Sequence, residues 1–178
     1  MKKINSIISI FVIALLSWGS GFSQTTDNAQ SVEVRFGKSL MPAMYAAIKY
    51  ERVTSTPTNV SAKLFYESMQ KNSLDYSCFG LDILGDYYTP VGDNTDHLFE
   101  CKLGFGGTVQ IENEPWVYKE YPVSNRLNYG LVGEFAGEWA MSEAFSLTTF
   151  LQQKYLFNKN LSHTNFLFGV GIKFNIPD

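Results

Sequence analysis

Asn165-Phe-Leu-Phe-Gly-Val-Gly-Ile-Lys-Phe-Asn-Ile176 decides the fold. Phe166, Phe168, Val170, Ile172, Phe174 and Ile176 share one parity, while Asn165, Leu167, Gly169, Gly171, Lys173 and Asn175 take the other. A period of two is the signature of a β-strand with one apolar face, since successive side chains point to opposite sides. At about a dozen residues it is also twice the length of an ordinary soluble strand of about five or six.

The same pattern recurs upstream. Phe145, Leu147, Thr149, Leu151 and Tyr155 oppose Ser146, Thr148, Gln152 and Lys154, and the run from Leu127 to Trp139 alternates against Asn128, Gly130, Glu134 and Glu138. Phe99 to Ile111 opposes Glu100, Lys102, Gly104, Gly106, Thr108 and Gln110; Phe79, Leu81 and Ile83 oppose Cys78, Gly80, Asp82 and Asp86. Residues 31–38 and 43–53 alternate again. Residues 59–70 are ambiguous, because Leu64, Phe65 and Met69 also suit a short amphipathic helix. Breakers at Pro57, Pro90 to Asp96, Pro115 to Pro122 and Asn158 to Asn160 separate the runs, and the count is eight strands.

The chain has 178 residues, 45% of them hydrophobic and 15% aromatic, with 14 basic against 17 acidic residues. That length suits one domain, and a formal charge of −3 lacks the basic footprint of a nucleic-acid binder. Lys2 and Lys3 precede an apolar run, Ile7 to Leu16, and Gly21-Phe-Ser23 supplies small residues before a cut at Gln24. This is the layout of a secretory signal peptide over residues 1–23, too short to span a bilayer as a helix. Residues 24–30 read as a disordered lead-in and 31–178 as the folded unit. Roughly 155 residues divided among eight strands give about 19 for each strand and its connection, which fits a membrane-crossing strand with short turns.

The second face separates a soluble sheet from a membrane barrel. It collects Glu33, Arg35, Lys49, Glu51, Lys63, Glu67, Asp82, Asp86, Glu100, Lys102, Glu134, Glu138, Lys154 and Lys173, whereas the apolar face carries almost no charge. A soluble lipocalin-like barrel needs an apolar interior for its ligand. The neighbouring opposite signs of Glu33/Arg35, Lys49/Glu51 and Glu100/Lys102 instead suit a lumen where charges must stay paired. If the first strand rises from the periplasm, Tyr87, Tyr88, Trp139, Phe145 and Phe174 fall at the periplasmic rim as an aromatic belt. The expectation is an all-β chain: an eight-stranded antiparallel up-and-down transmembrane β-barrel in the outer membrane, surrounded by lipid. Its interior should be polar and filled by side chains, so no diffusive pore is expected. Gly104, Gly106, Gly130, Gly169 and Gly171 on the inward face either make room for long side chains or serve strand curvature.

No phosphate loop, His-Glu-x-x-His, Gly-x-Ser-x-Gly or Cys-x-x-Cys occurs. Ser162 and His163 could act only with an outer-rim acid such as Glu112 or Glu114, and the plainer reading is strand-end polar residues. Asp93, Asn94 and Asp96 are good turn chemistry before they are calcium ligands. No enzyme, cofactor or metal is therefore expected, and Cys78 and Cys101, of opposite parity, should be free thiols. The connection 113–126 carries Trp116, Tyr118 and Tyr121 between prolines, which suits either a protein contact or the outer aromatic belt.

Leu103-Gly-Phe-Gly-Gly107, Tyr129-Gly-Leu-Val-Gly133 with Glu134, and Lys154-Tyr-Leu-Phe157 followed by Gly169-Val-Gly-Ile-Lys-Phe174 resemble the TraO family of conjugal-transfer proteins of conjugative transposons. The resemblance covers most of the chain after the leader at low identity, and residues 31–75 least. It implies an accessory outer-membrane component of a conjugation apparatus, acting through contacts with other apparatus proteins and with no catalytic residues to transfer. Asn175-Ile-Pro-Asp178 departs from barrels that end at their last aromatic, so Pro177 should lie outside the strand. A generic surface barrel, for adhesion or envelope integrity, is the alternative, and a lipid-modifying enzyme is the third.

Overall fold

The computed structural model describes residues 30–176 other than 41–42, 56, 72–73, 91–98, 114–124, 143 and 158–163. The leader 1–23 and nearly all of the lead-in lie outside these residues. Eight strands follow in order: β1 (Gln30–Ser39), β2 (Met44–Ser55), β3 (Thr58–Lys71), β4 (Leu74–Pro90), β5 (Phe99–Asn113), β6 (Asn125–Ala140), β7 (Phe145–Leu156) and β8 (Thr164–Ile176). Each pairs antiparallel with the next, and β8 returns to β1, so the sheet closes as a barrel. Closure leaves no open strand edge, the condition for a sheet to cross lipid.

Three local readings meet the structure, and one of them, the boundary at Gln30, changes. Residues 59–70 form strand β3 and not a helix, because Ser61, Lys63, Phe65 and Glu67 face inward while Val60, Leu64 and Tyr66 face out. Gln30, placed in the lead-in by sequence, already pairs with Arg52 and Ile176 as the first residue of β1. β8 ends at Ile176; Pro177 lies outside the described residues.

The molecule is inside-out relative to a soluble protein. Phe36, Ile48, Phe79, Ile83, Phe105, Leu127, Val170 and Ile172 are exposed, whereas Arg35, Lys49, Lys63, Glu67, Asp82 and Lys154 are buried. Exposed apolar area on this scale is stable only against lipid. The rim where β1 begins and β8 ends is called near, the opposite one far. Tyr50, Tyr87, Phe145 and Phe174 ring the near end on the outside, where Phe99 packs on Trp139 with ring centroids 4.6 Å apart. A second girdle at the far end contains Tyr129, Tyr155 and Phe157, with Phe157 5.7 and 5.5 Å from the two tyrosines.

Tyr88 is a correction: it does not join the belt. It follows Tyr87 by one residue, so the pleat turns it inward, where it is buried and donates to Glu51. The inward glycines divide by role. A Cβ on Gly104 or Gly171 would strike the carboxylates of Asp86 or Glu33, so these two make room for lumen side chains. A Cβ on Gly106, Gly130 or Gly169 would instead strike a neighbouring strand's carbonyl, so those three permit close strand approach. Cys78 stands opposite Glu112 and Cys101 opposite Thr89, at different heights of β4–β5, and both are free thiols.

Candidate functional site: the charged lumen

The inward parity of every strand converges on the lumen, whose contents form three levels. Nearest the near rim, Lys102 and Lys173 bridge Glu51 and Glu138. Lys173 Nζ lies 3.1 Å from each carboxylate, and Lys102 Nζ lies 3.3 Å from Glu51 and pairs with Glu138. Lys102 also sits 4.5 Å over the Tyr88 ring, and Asn59 donates to Glu51 at 3.1 Å.

The middle level centres on Glu134. Arg35 Nη1 reaches one carboxylate oxygen at 2.7 Å, Lys63 Nζ the other at 2.7 Å, and Lys49 approaches at 3.4 Å. Glu33 holds Arg35 Nε at 2.8 Å, and Asp86 holds Lys49 at 2.9 Å while accepting from Ser61 at 2.7 Å. Asp82 receives Lys63 and Lys154, each at 3.2 Å, and Gln152 donates to it at 3.0 Å.

These pairs join six carboxylates (Glu33, Glu51, Asp82, Asp86, Glu134, Glu138) to six cations (Arg35, Lys49, Lys63, Lys102, Lys154, Lys173). This stretch of lumen is electrically neutral, as charges withdrawn from water must be.

The far level corrects the expectation of a wholly polar interior. Tyr45, Phe65, Phe150 and Leu167 point inward and form a buried apolar cluster with Ala47, Cys78 and Ala136. Tyr45 packs on Phe65 and Phe150 with centroids 6.2 and 5.8 Å apart. The cluster meets the charges through their cations: Arg35 lies 4.7 Å over the Phe150 ring and Lys154 3.0 Å over Phe65. A cation on an aromatic face gains electrostatic stabilisation without a hydrogen bond, which for Lys154 adds to its ion pair with Asp82.

Above the cluster, Glu67 accepts from Asn165 at 3.0 Å, and Asn165 accepts from Ser39 at 2.7 Å. Glu112, which sequence reading weighed only as a catalytic acid, is fully buried and accepts from Tyr76 at 3.1 Å. Its parity, two residues beyond Gln110, was the available signal.

Of the residues expected in the lumen, Glu100 is the exception to full burial. It is half-buried at the near rim, opposite Glu138 in register. Trp116, Tyr118 and Tyr121 of the proposed contact connection lie outside the described residues, as do Ser162, His163, Glu114, Asp93, Asn94 and Asp96. Among the described residues no group of three or more His, Cys, Asp or Glu is placed to hold a metal ion. Among the described residues the arrangement fills the lumen with paired charge and stacked rings.

No protein-family model matches the chain, and a search of characterised proteins returns no significant relative. Solved structures do match. The outer membrane protein OprG of Pseudomonas aeruginosa superposes with a TM-score of 0.63 at 9% identity, over 85% of this chain and 97% of that one. Neisserial surface protein A gives 0.60 at 11% identity, over 84% and 96%. The N-terminal β-barrel domain of Pseudomonas aeruginosa OprF gives 0.59 at 15%, over 84% and 98%. At such identities the likeness carries the eight-stranded barrel and nothing about what each protein binds.

Proposed function

We propose that the protein is a sealed, non-enzymatic barrel of the outer membrane that works by presenting its far-rim connections to other proteins. Glu134 carries the sealing half of this reading: from β6 its one carboxylate gathers Arg35, Lys49 and Lys63 from three successive strands, β1, β2 and β3, across the lumen. A lumen spanned this way has no room for a passing solute. The likeness to small outer-membrane barrels supports the location. So does the longest connection, 114–124 between β5 and β6, which leaves the far rim; the next in length, 91–98, leaves the near rim, and the third, 157–163, the far one. In barrels of this kind the longer loops face the cell exterior.

The resemblance of the C-terminal half to TraO proteins supports a specific task for that surface, namely contact with components of a conjugal DNA-transfer apparatus. The mature protein should fractionate with outer membranes, migrate faster on unboiled than on boiled gels, and give no conductance in planar bilayers. Solubility without detergent would overturn the location, and steady conductance would overturn the seal. Trp116→Ala with Tyr118→Ala should then leave gel behaviour unchanged and abolish transfer in a conjugation assay. Wild-type transfer from that double variant, or from a gene deletion, favours the second reading, a general envelope barrel like its structural neighbours.

A further inference from the structure

On the outward face, among the side chains described, only Lys38 and Arg52 carry charge within a strand, and they stand at opposite ends of the barrel. Lys38 is one residue from the far end of β1, and no described carboxylate lies within ion-pairing distance of it. It begins a row of outward side chains that register carries across the closing seam: Lys38 opposite Phe168, Phe168 opposite Leu151, Leu151 opposite Phe135. Because barrel strands tilt by about 40°, such a row slants from the rim toward the bilayer centre.

Beside this row lies a furrow of about 570 Å³, bordered on its other side by Phe36, Val170 and Thr149. Gly37 and Gly169 face each other across β1 and β8 at its floor and contribute no side chain, so the furrow reaches the backbone. Its size falls within the roughly 300–1,000 Å³ of small-molecule sites. One end is cationic and at the headgroup level; the rest is apolar and slopes inward.

We propose that this furrow holds one phosphorylated lipid of the surrounding leaflet, with the phosphate on Lys38 and an acyl chain along Phe168, Leu151 and Val170. The charge complementarity selects this occupant: an ammonium in an apolar row has no counter-ion among the described residues, and an anionic headgroup supplies one at the depth where headgroups lie. The inference rests on the outer-membrane reading above only for which leaflet supplies the lipid.

The test is native mass spectrometry of the barrel in non-ionic detergent, titrated with phosphatidylglycerol and, separately, with phosphatidylcholine of the same acyl chains. Wild-type protein should retain one phosphatidylglycerol in preference to phosphatidylcholine, with a preference that falls as salt rises. Lys38→Gln should lower retention of phosphatidylglycerol about fivefold, the scale of one lysine at an anionic surface. Val170→Trp, which fills the furrow from its lipid side, should abolish retention of both lipids. Equal retention of the two lipids by the wild type, or a preference insensitive to Lys38→Gln and to salt, would mean that Lys38 merely extends to the interface. A dimer mass that Val170→Trp removes would assign the furrow to a second copy. Unboiled gel migration checks each variant; failure of the wild type in that assay would sink the membrane-barrel reading, whereas normal migration without lipid retention sinks this one alone.

Discussion

The two halves of the lumen are filled by different physics. From the near rim to Glu134 the space is occupied by ion pairs that span it, such as Lys173 between Glu51 and Glu138. Toward the far rim Tyr45, Phe65, Phe150 and Leu167 occupy it as a small apolar core. The first filling is intolerant of losing a partner, because an uncompensated charge stays buried. The second is intolerant of losing volume. A barrel whose exterior gains little from packing against lipid thus draws its specificity from two independent interior devices.

Substitutions should separate them in urea titrations of the barrel folded in vesicles. Glu134→Leu removes the one carboxylate shared by Arg35, Lys49 and Lys63 and should cost about 5 kcal/mol, the upper end for a broken buried pair. Phe150→Ala opens a cavity beneath the Gly169 backbone and takes away the ring under Arg35; about 3 kcal/mol is expected. If Phe150→Ala proved the more damaging, the apolar half would be the principal support and the contrast would invert. Lys173→Met should cost about 2 kcal/mol, since Glu51 and Glu138 keep Lys102. Leu131→Ala, on the lipid face, should change stability by only about 0.5 kcal/mol, because lipid tails replace the lost contacts. A Leu131→Ala effect as large as that of Lys173→Met would mean that the outer face packs on protein and not on lipid.

Strand number and face assignment were legible because parity is a local property: Phe166 to Ile176 declares both without knowledge of any neighbour. The lumen charges were legible for the same reason. Their partners were not. Arg35 does bind its strand neighbour Glu33, as adjacent opposite signs suggested, yet it also reaches Glu134, 99 residues away and across the barrel. Only barrel circumference and strand stagger determine which charges meet in the middle. The inward aromatics were missed for a different reason. Tyr45, Phe65 and Phe150 have inward parity, but residue type suggests lipid, and a residue type cannot say which side of a closed sheet is wet. Tyr88 failed by the same confusion, one residue from a Tyr87 that does face outward.

The β1–β8 seam has a consequence for how the chain is assembled. Val34 meets Ile172 and Gly37 meets Gly169 only when the last segment arrives, at the greatest sequence separation in the barrel. Until then β1 and β7 each carry a ladder of unsatisfied amide and carbonyl groups, at several kcal/mol apiece in hydrocarbon. Long-range closure is also the slow kind of contact. Insertion therefore has an all-or-none character: a chain cut before Thr164 has no partially inserted resting state, only exposed edges that recruit other strands or mark it for degradation.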